Sequence, residues 1–201
     1  MAIPSRSTGK EDQRQQARRL LSALDPAHAA IWSGGISAFL STWLEQHPEV
    51  TRVALFAALP GEPDLRALHQ LRSEREFLYP LVLPGNQLSF HLVGDPRTLR
   101  SGQFGIPEPD PQIHPPVRPE DIDVVLCPGL AFAADGTRLG RGKGFYDRVL
   151  DHLRPEVPRI GVGFALQWSP SLPREAHDVP MTHFVNEKEL LPLRIPPAGS
   201  A

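Results

Sequence analysis

Cysteine is nearly missing from this chain: Cys127 is the single one among 201 residues. A lone cysteine excludes an internal disulfide and any multi-cysteine zinc site, and it fits a reducing compartment. Cys127 follows the apolar run IDVVL and precedes Pro128, with no charge partner in that run, so a buried small hydrophobe is favoured over a nucleophile. Long apolar runs are missing too, and MAIPSRSTGK lacks the apolar centre of a signal peptide. The expectation is a cytoplasmic protein with no membrane partner. Nor is there an excess of charge of either sign. Lys and Arg number 21 against 23 Asp and Glu, for a net charge of -2, which argues against a general nucleic-acid binder. HExxH and GxSxG do not occur, so zinc-peptidase and serine-hydrolase chemistry has no motif to rest on.

What is present reads as alternating helix and strand. Thr8 with Glu11 forms a capping-box pattern, and Ala17, Leu20, Leu21 and Leu24 recur at helical spacing, predicting a first helix over about 10–24. Asp25-Pro26 suits the start of a second helix ending near His47-Pro48, with Gly34-Gly35 weakening its middle. TRVALFAAL predicts a buried strand and residues 64–75 a helix; 77–83 and 88–93 predict a hairpin across PGNQ. Residues 94–121, crowded with proline, read as extended loop or as an interdomain linker. Strands at 122–127 and 159–164 then flank a loop over 129–144 and a helix over 145–153. The termini, 1–7 and 195–201, are expected to be disordered, leaving 8–193 as one α/β domain.

The segment GTRLGRGKGFYDR, from Gly136 to Arg148, concentrates four glycines and four cations against one acid. Successive glycines let backbone N–H groups approach anionic oxygens, and the segment lies between a strand and a helix, where open α/β sheets bind ligands. Arg138, Arg141 and Lys143 would add full charges, and the start of the following helix its dipole. It is not a P-loop, because Thr137 and Gly144 stand where a glycine and a Ser or Thr are needed. Nor is it GxGxxG, because Phe145 takes the third glycine's place. A solvated basic loop is the alternative. Asp147 suits either a magnesium ion bridging phosphates or an acid that merely favours the helix start.

PGLAF at 128–132 followed, past Asp135, by GTRLGRGKGFYDR closely resembles the signature of the 5-formyltetrahydrofolate cyclo-ligase family. Lys10-x-x-x-Arg14, the stretch 56–64, FGIPEP, IGVGFALQ and HDVP agree in order, so the resemblance runs from Lys10 to Val185. It implies a three-layer domain with a mostly parallel or mixed central sheet between helices; a monomer is expected. It also implies an ATP- and magnesium-dependent enzyme that turns 5-formyltetrahydrofolate into 5,10-methenyltetrahydrofolate. Carried over by position, Lys10, Arg14 and the run Arg138, Leu139, Gly140, Arg141, Gly142, Lys143, Gly144, Phe145 and Tyr146 would bind ATP. Arg141 and Lys143 would act at the formyl group. Leu59, Glu62 and Asp64, with Gly142, Lys143, Gly144 and Tyr146, would contact the folate, and Asp147 and Asp178 would hold magnesium. The chain departs from the family pattern at Leu81, where an arginine is common, at Phe145 for tyrosine, and at Thr182 for an acid. Leu81 and Thr182 keep open a noncatalytic folate- or nucleotide-binding module.

Overall fold

The first helix of the computed structural model, α1 (Lys10–Ser22), buries Gln13, Ala17 and Leu21, the four-residue spacing of one helical face. Residues 9–102, 105–175 and 177–195 are described, so Thr8 of the expected capping box and most of both expected disordered termini lie outside them. The N-cap is Gly9, which makes no side-chain bond to the helix. In α2 (Pro26–Gln46) the Asp25 carboxylate accepts from the N–H groups of Ala27 and His28, and Pro26 occupies the first turn. The helix runs unbroken through Gly34-Gly35, and the Glu187 backbone packs against Gly35, where a β-carbon would lie 3.4 Å from its carbonyl oxygen.

The strands follow as β1 (Arg52–Ala54), β2 (Glu76–Leu83), β3 (Gln87–Leu92), β4 (Arg100–Ser101), β5 (Pro107–Glu108), β6 (Pro116–Val117) and β7 (Val124–Pro128). Then come β8 (Ala131–Ala133), β9 (Arg138–Leu139), β10 (Arg159–Val162), β11 (Trp168–Ser169), β12 (His183–Val185) and β13 (Leu190–Pro192). A single turn, α3 (Leu68–Leu71), precedes β2, and α4 (Phe145–Leu150) precedes β10. The main sheet has eight strands in the order β13-β12-β10-β7-β1-β2-β3-β6. Its centre, from β12 to β2, is parallel, and the flanking pairs are antiparallel.

Side-chain alternation splits the core in two. Val53, Leu55, Leu126, Ile160 and Val162 pack toward α1 and α2, while Ala54, Val125 and Cys127 pack toward Val149, Leu150 and Leu153 in and after α4. Helices therefore cover both faces, the three-layer arrangement expected of a mostly parallel sheet.

Several expectations contract. The strand over 51–59 is hydrogen-bonded as β1 only from Arg52 to Ala54. The helix over 64–75 shrinks to α3, because Arg72 leaves helical geometry and its guanidinium donates to the Ser41 carbonyl and pairs with Glu45. The extended stretch 94–121 contains β4, β5 and β6, and β6 joins the main sheet beside β3. The expected loop over 129–144 contains β8 and β9, which with β11 form a second, three-stranded sheet.

Candidate active site

From β1 the chain proceeds toward β2, on one side, and from β7 toward β10, on the other. Strand order thus reverses between β1 and β7, and ligands of open α/β sheets bind beyond the carboxyl ends at such a reversal. A cavity of about 420 Å³ lies there. Phe56, Ala57, Leu59 and Glu62 reach it from the segment after β1, and Pro128 and Gly129 from the end of β7. Lys10 and Arg14 enter from α1, and the segment from Arg138 to Arg148 supplies another side.

Gly142 and Gly144 have φ of 101° and 65°, left-handed geometry that side chains with a β-carbon resist. Arg14 supports this turn from below: its Nε donates to the Gly140 carbonyl oxygen at 3.1 Å, and its guanidinium would meet any β-carbon at Gly142. Arg148 donates to the carbonyls of Lys143 and Gly144 from the other end. The expected dipole contribution is small, since α4 has only 6 residues.

Four charged pairs define the electrostatics. Arg141 donates to Glu62 Oε1 through Nη2 at 2.7 Å and Nε at 2.9 Å, while Glu62 Oε2 accepts from the Leu59 N–H. The Glu62 side chain is only 6% exposed, so the arginine compensates a buried charge. Arg138 is buried beneath the segment, donating to Asp147 Oδ1 at 2.9 Å and to the Pro128 carbonyl, with its guanidinium carbon 5.5 Å from the Tyr146 ring centroid. Lys10 Nζ lies 2.8 Å from Asp178 Oδ2 and 3.2 Å from Glu175 Oε2. Burial opposes ionisation of Asp178, but hydrogen bonds from Lys10 and the Glu175 N–H outweigh it and hold its pKa below the usual value. The Tyr146 hydroxyl is buried without a hydrogen-bond partner among the described residues, and burial pushes its pKa well up, so it remains a neutral donor.

Of the residues singled out from sequence, all but Asp64 line the one cavity. Asp64 instead lines an adjoining depression and forms a paired hydrogen bond to Arg66, which lowers its pKa despite the opposing effect of burial. Asp147 and Asp178 both face the cavity, each with one oxygen engaged by a cation. Carboxylate oxygens are the donors magnesium prefers, so each of the two suits such an ion by donor chemistry. Leu81 pairs with Ser89 in the β2-β3 ladder. Thr182 joins strands: its hydroxyl accepts from the Arg159 N–H and donates to the Arg159 carbonyl.

Sequence reading passed over an apolar wall, formed by Pro80, Val82, Leu88 and Ile106, and a buried acid within it, Glu108. FGIPEP was the available signal, since a glutamate among apolar residues and prolines has little reason to be buried unless it meets donors. It also passed over Glu175 and His177, whose donor atoms lie within 4.8 Å of those of Asp178. Among the described residues, no helix is long and apolar enough to cross a membrane.

The sequence pattern of the 5-formyltetrahydrofolate cyclo-ligase family matches residues 6–187. A 5-formyltetrahydrofolate cyclo-ligase from Mycolicibacterium smegmatis is 42% identical over 93 residues, 46% of this chain and 48% of the relative, so that match spans about half the relative's length. One from Haemophilus influenzae is 30% identical over 145 residues, 69% of this chain and 76% of its own. The solution structure of Aquifex aeolicus 5,10-methenyltetrahydrofolate synthetase shares the fold with a TM-score of 0.81 and 33% identity, over 94% of this chain and 95% of that one. The family match runs unbroken from α1 through the glycine-rich segment to β12, the elements that build the cavity, and this chain belongs to the 5-formyltetrahydrofolate cyclo-ligase family.

Proposed function

We propose that the protein converts 5-formyltetrahydrofolate to 5,10-methenyltetrahydrofolate with ATP as co-substrate, releasing ADP and phosphate. The observation that carries this reading is the convergence of Lys10, Arg14, Arg141 and Lys143 on one cavity beside a left-handed glycine turn. An N-formyl oxygen is a poor leaving group, and phosphorylation cures that. The formyl oxygen takes the γ-phosphoryl group as its bond to ADP breaks. Folate N10 then attacks the formyl carbon and loses its proton, and the carbon–oxygen bond breaks with phosphate departing. Such a sequence asks the protein for positioning and charge neutralisation rather than for a nucleophile.

In this scheme Lys10, Arg14 and the backbone from Arg138 to Tyr146 cradle the nucleotide, with Arg141 and Lys143 nearest the transferred group. Leu59 and Glu62 face the folate, and Asp64 assists from the adjoining depression. Asp147 and Asp178 would hold a magnesium ion, which would neutralise phosphate charge. Lys10 and Arg138 bond these two carboxylates in the free protein, so nucleotide and metal arrive at oxygens already held in position. Residues 8–193 act as one cytoplasmic, monomeric domain in this reading. Thr182 is accounted for by its strand-joining bonds, which leaves Leu81 as the departure that favours a mere binding module.

Phosphate release tests the scheme. One phosphate should appear per folate consumed, and none without 5-formyltetrahydrofolate. Folate-independent phosphate release, or binding of both substrates without any release, would contradict it.

A further inference from the structure

The cavity is chemically two-sided. Its cations reach it from α1 and from the segment between β9 and α4, whereas β2 contributes Pro80 and Val82, β3 contributes Leu88, and Ile106 directly precedes β5. Glu108, on β5, lines the cavity on this apolar side and is only 7% exposed. The fold makes a seat for it. The Gly102 N–H donates to the Ile106 carbonyl at 2.8 Å, and a β-carbon on Gly102 would overlap the Glu108 carboxyl group. A carboxylate in such surroundings repels phosphate and is costly to bury unless donors meet it.

We propose that Glu108 selects the folate heterocycle, its carboxylate accepting the adjacent N3–H and 2-amino hydrogens of the pterin. This rests on the folate reading above. A carboxylate has about four acceptor sites, so a bidentate pair can be added to bonds it makes within its own chain. Of the two substrates, only the pterin carries two N–H donors side by side in one plane. Adenine sets its amino group beside a ring-nitrogen acceptor, which would face the second carboxylate oxygen and repel it. The residue therefore assigns orientation as well as identity: pterin against the β2-β3-β5 wall, phosphates against the glycine-rich segment.

The test compares Glu108→Leu with the native full chain, using 5-formyltetrahydrofolate and its analogue with methyl in place of the 2-amino group. In the native protein the analogue's KM should be about tenfold or more higher, because the analogue leaves a buried acceptor unmet. Glu108→Leu should raise the KM for the natural folate by a similar factor, leave the KM for ATP unchanged, and bind both folates alike. Glu108→Gln keeps one acceptor and should fall between. Gly102→Ala, which displaces the carboxyl without removing it, should show the same split between folate and ATP. Equal KM for the two folates in the native protein overturns the proposal even if no variant folds. So does a Glu108→Leu enzyme that keeps the native preference. Absence of any folate turnover by the native protein would instead defeat the cyclo-ligase reading itself.

Discussion

Lys143 is one of the two residues proposed to stand nearest the transferred phosphoryl group. Replacing it with alanine should lower kcat by about a hundredfold or more, the usual cost of deleting one preorganised donor to a transition-state anion, while thermal stability stays near native. Steady-state kinetics with matched melting curves check this, and native turnover would remove Lys143 from the chemistry. Arg141 differs, because its loss also strands the buried Glu62 carboxylate. Arg141→Ala should therefore lose both rate and stability, whereas Arg141→Ala with Glu62→Gln should regain stability and not rate. Cys127 is fully buried, and burial pushes its thiol up to about 12. Iodoacetamide at pH 8 should leave it unmodified in the native protein and label it in urea, as mass spectrometry would report. This residue was legible from sequence, since a lone cysteine ending an apolar strand has nothing to ionise it. Glu108 was not, because only the fold turns a proline-flanked glutamate into a cavity wall.

Among the elements, β1 and the end of α2 are held by charged side chains far away in sequence. The Asp123 carboxylate accepts from the N–H groups of Thr51 and Arg52 and from the Thr51 hydroxyl. Burial raises its pKa, but these bonds outweigh that effect and the net shift is downward. A depressed folded-state pKa means stabilisation that is present above the unfolded carboxylate value and lost as pH falls through the folded one. Urea midpoints of native protein and Asp123→Asn should thus differ at pH 7 and converge in strong acid; a constant difference would contradict this. Arg75 donates to the carbonyls of Leu44, Pro48 and Val50 at the close of α2. Arg75→Leu should cost about 2 kcal/mol or more by leaving those groups unmet, measurable by denaturant unfolding. Periodicity made α1, β7 and β10 legible, the Asp25-Pro26 start made α2 legible, and turn composition the β2-β3 hairpin. The helix expected over 64–75 failed because Arg72 and Arg75 bond the carboxyl end of α2, a tertiary demand that no local pattern carries. The two- and three-residue strands β8, β9 and β11 failed for a related reason: ladders that short are defined by partners, not by alternation.

Over the whole molecule, the reversal of strand order between β1 and β7 is what brings α1, the segment after β1 and the glycine-rich segment to one crevice. Sequence alone named most residues of that crevice through family resemblance, and it favoured Asp64 for the family's acidic position with Glu62 as the neighbouring candidate. The fold separates them, with Glu62 in the cavity under Arg141 and Asp64 turned to Arg66. In the proposed function this crevice joins phosphoryl transfer to cyclisation. The direct measurement is the near-ultraviolet absorbance of the protein mixed with 5-formyltetrahydrofolate, ATP and magnesium, since the methenyl product is conjugated between N5 and N10 and its substrate is not. Absorbance should rise only with both ATP and magnesium present, and Lys143→Ala should nearly abolish the rise. A folded protein that binds ATP and gives no rise would contradict it.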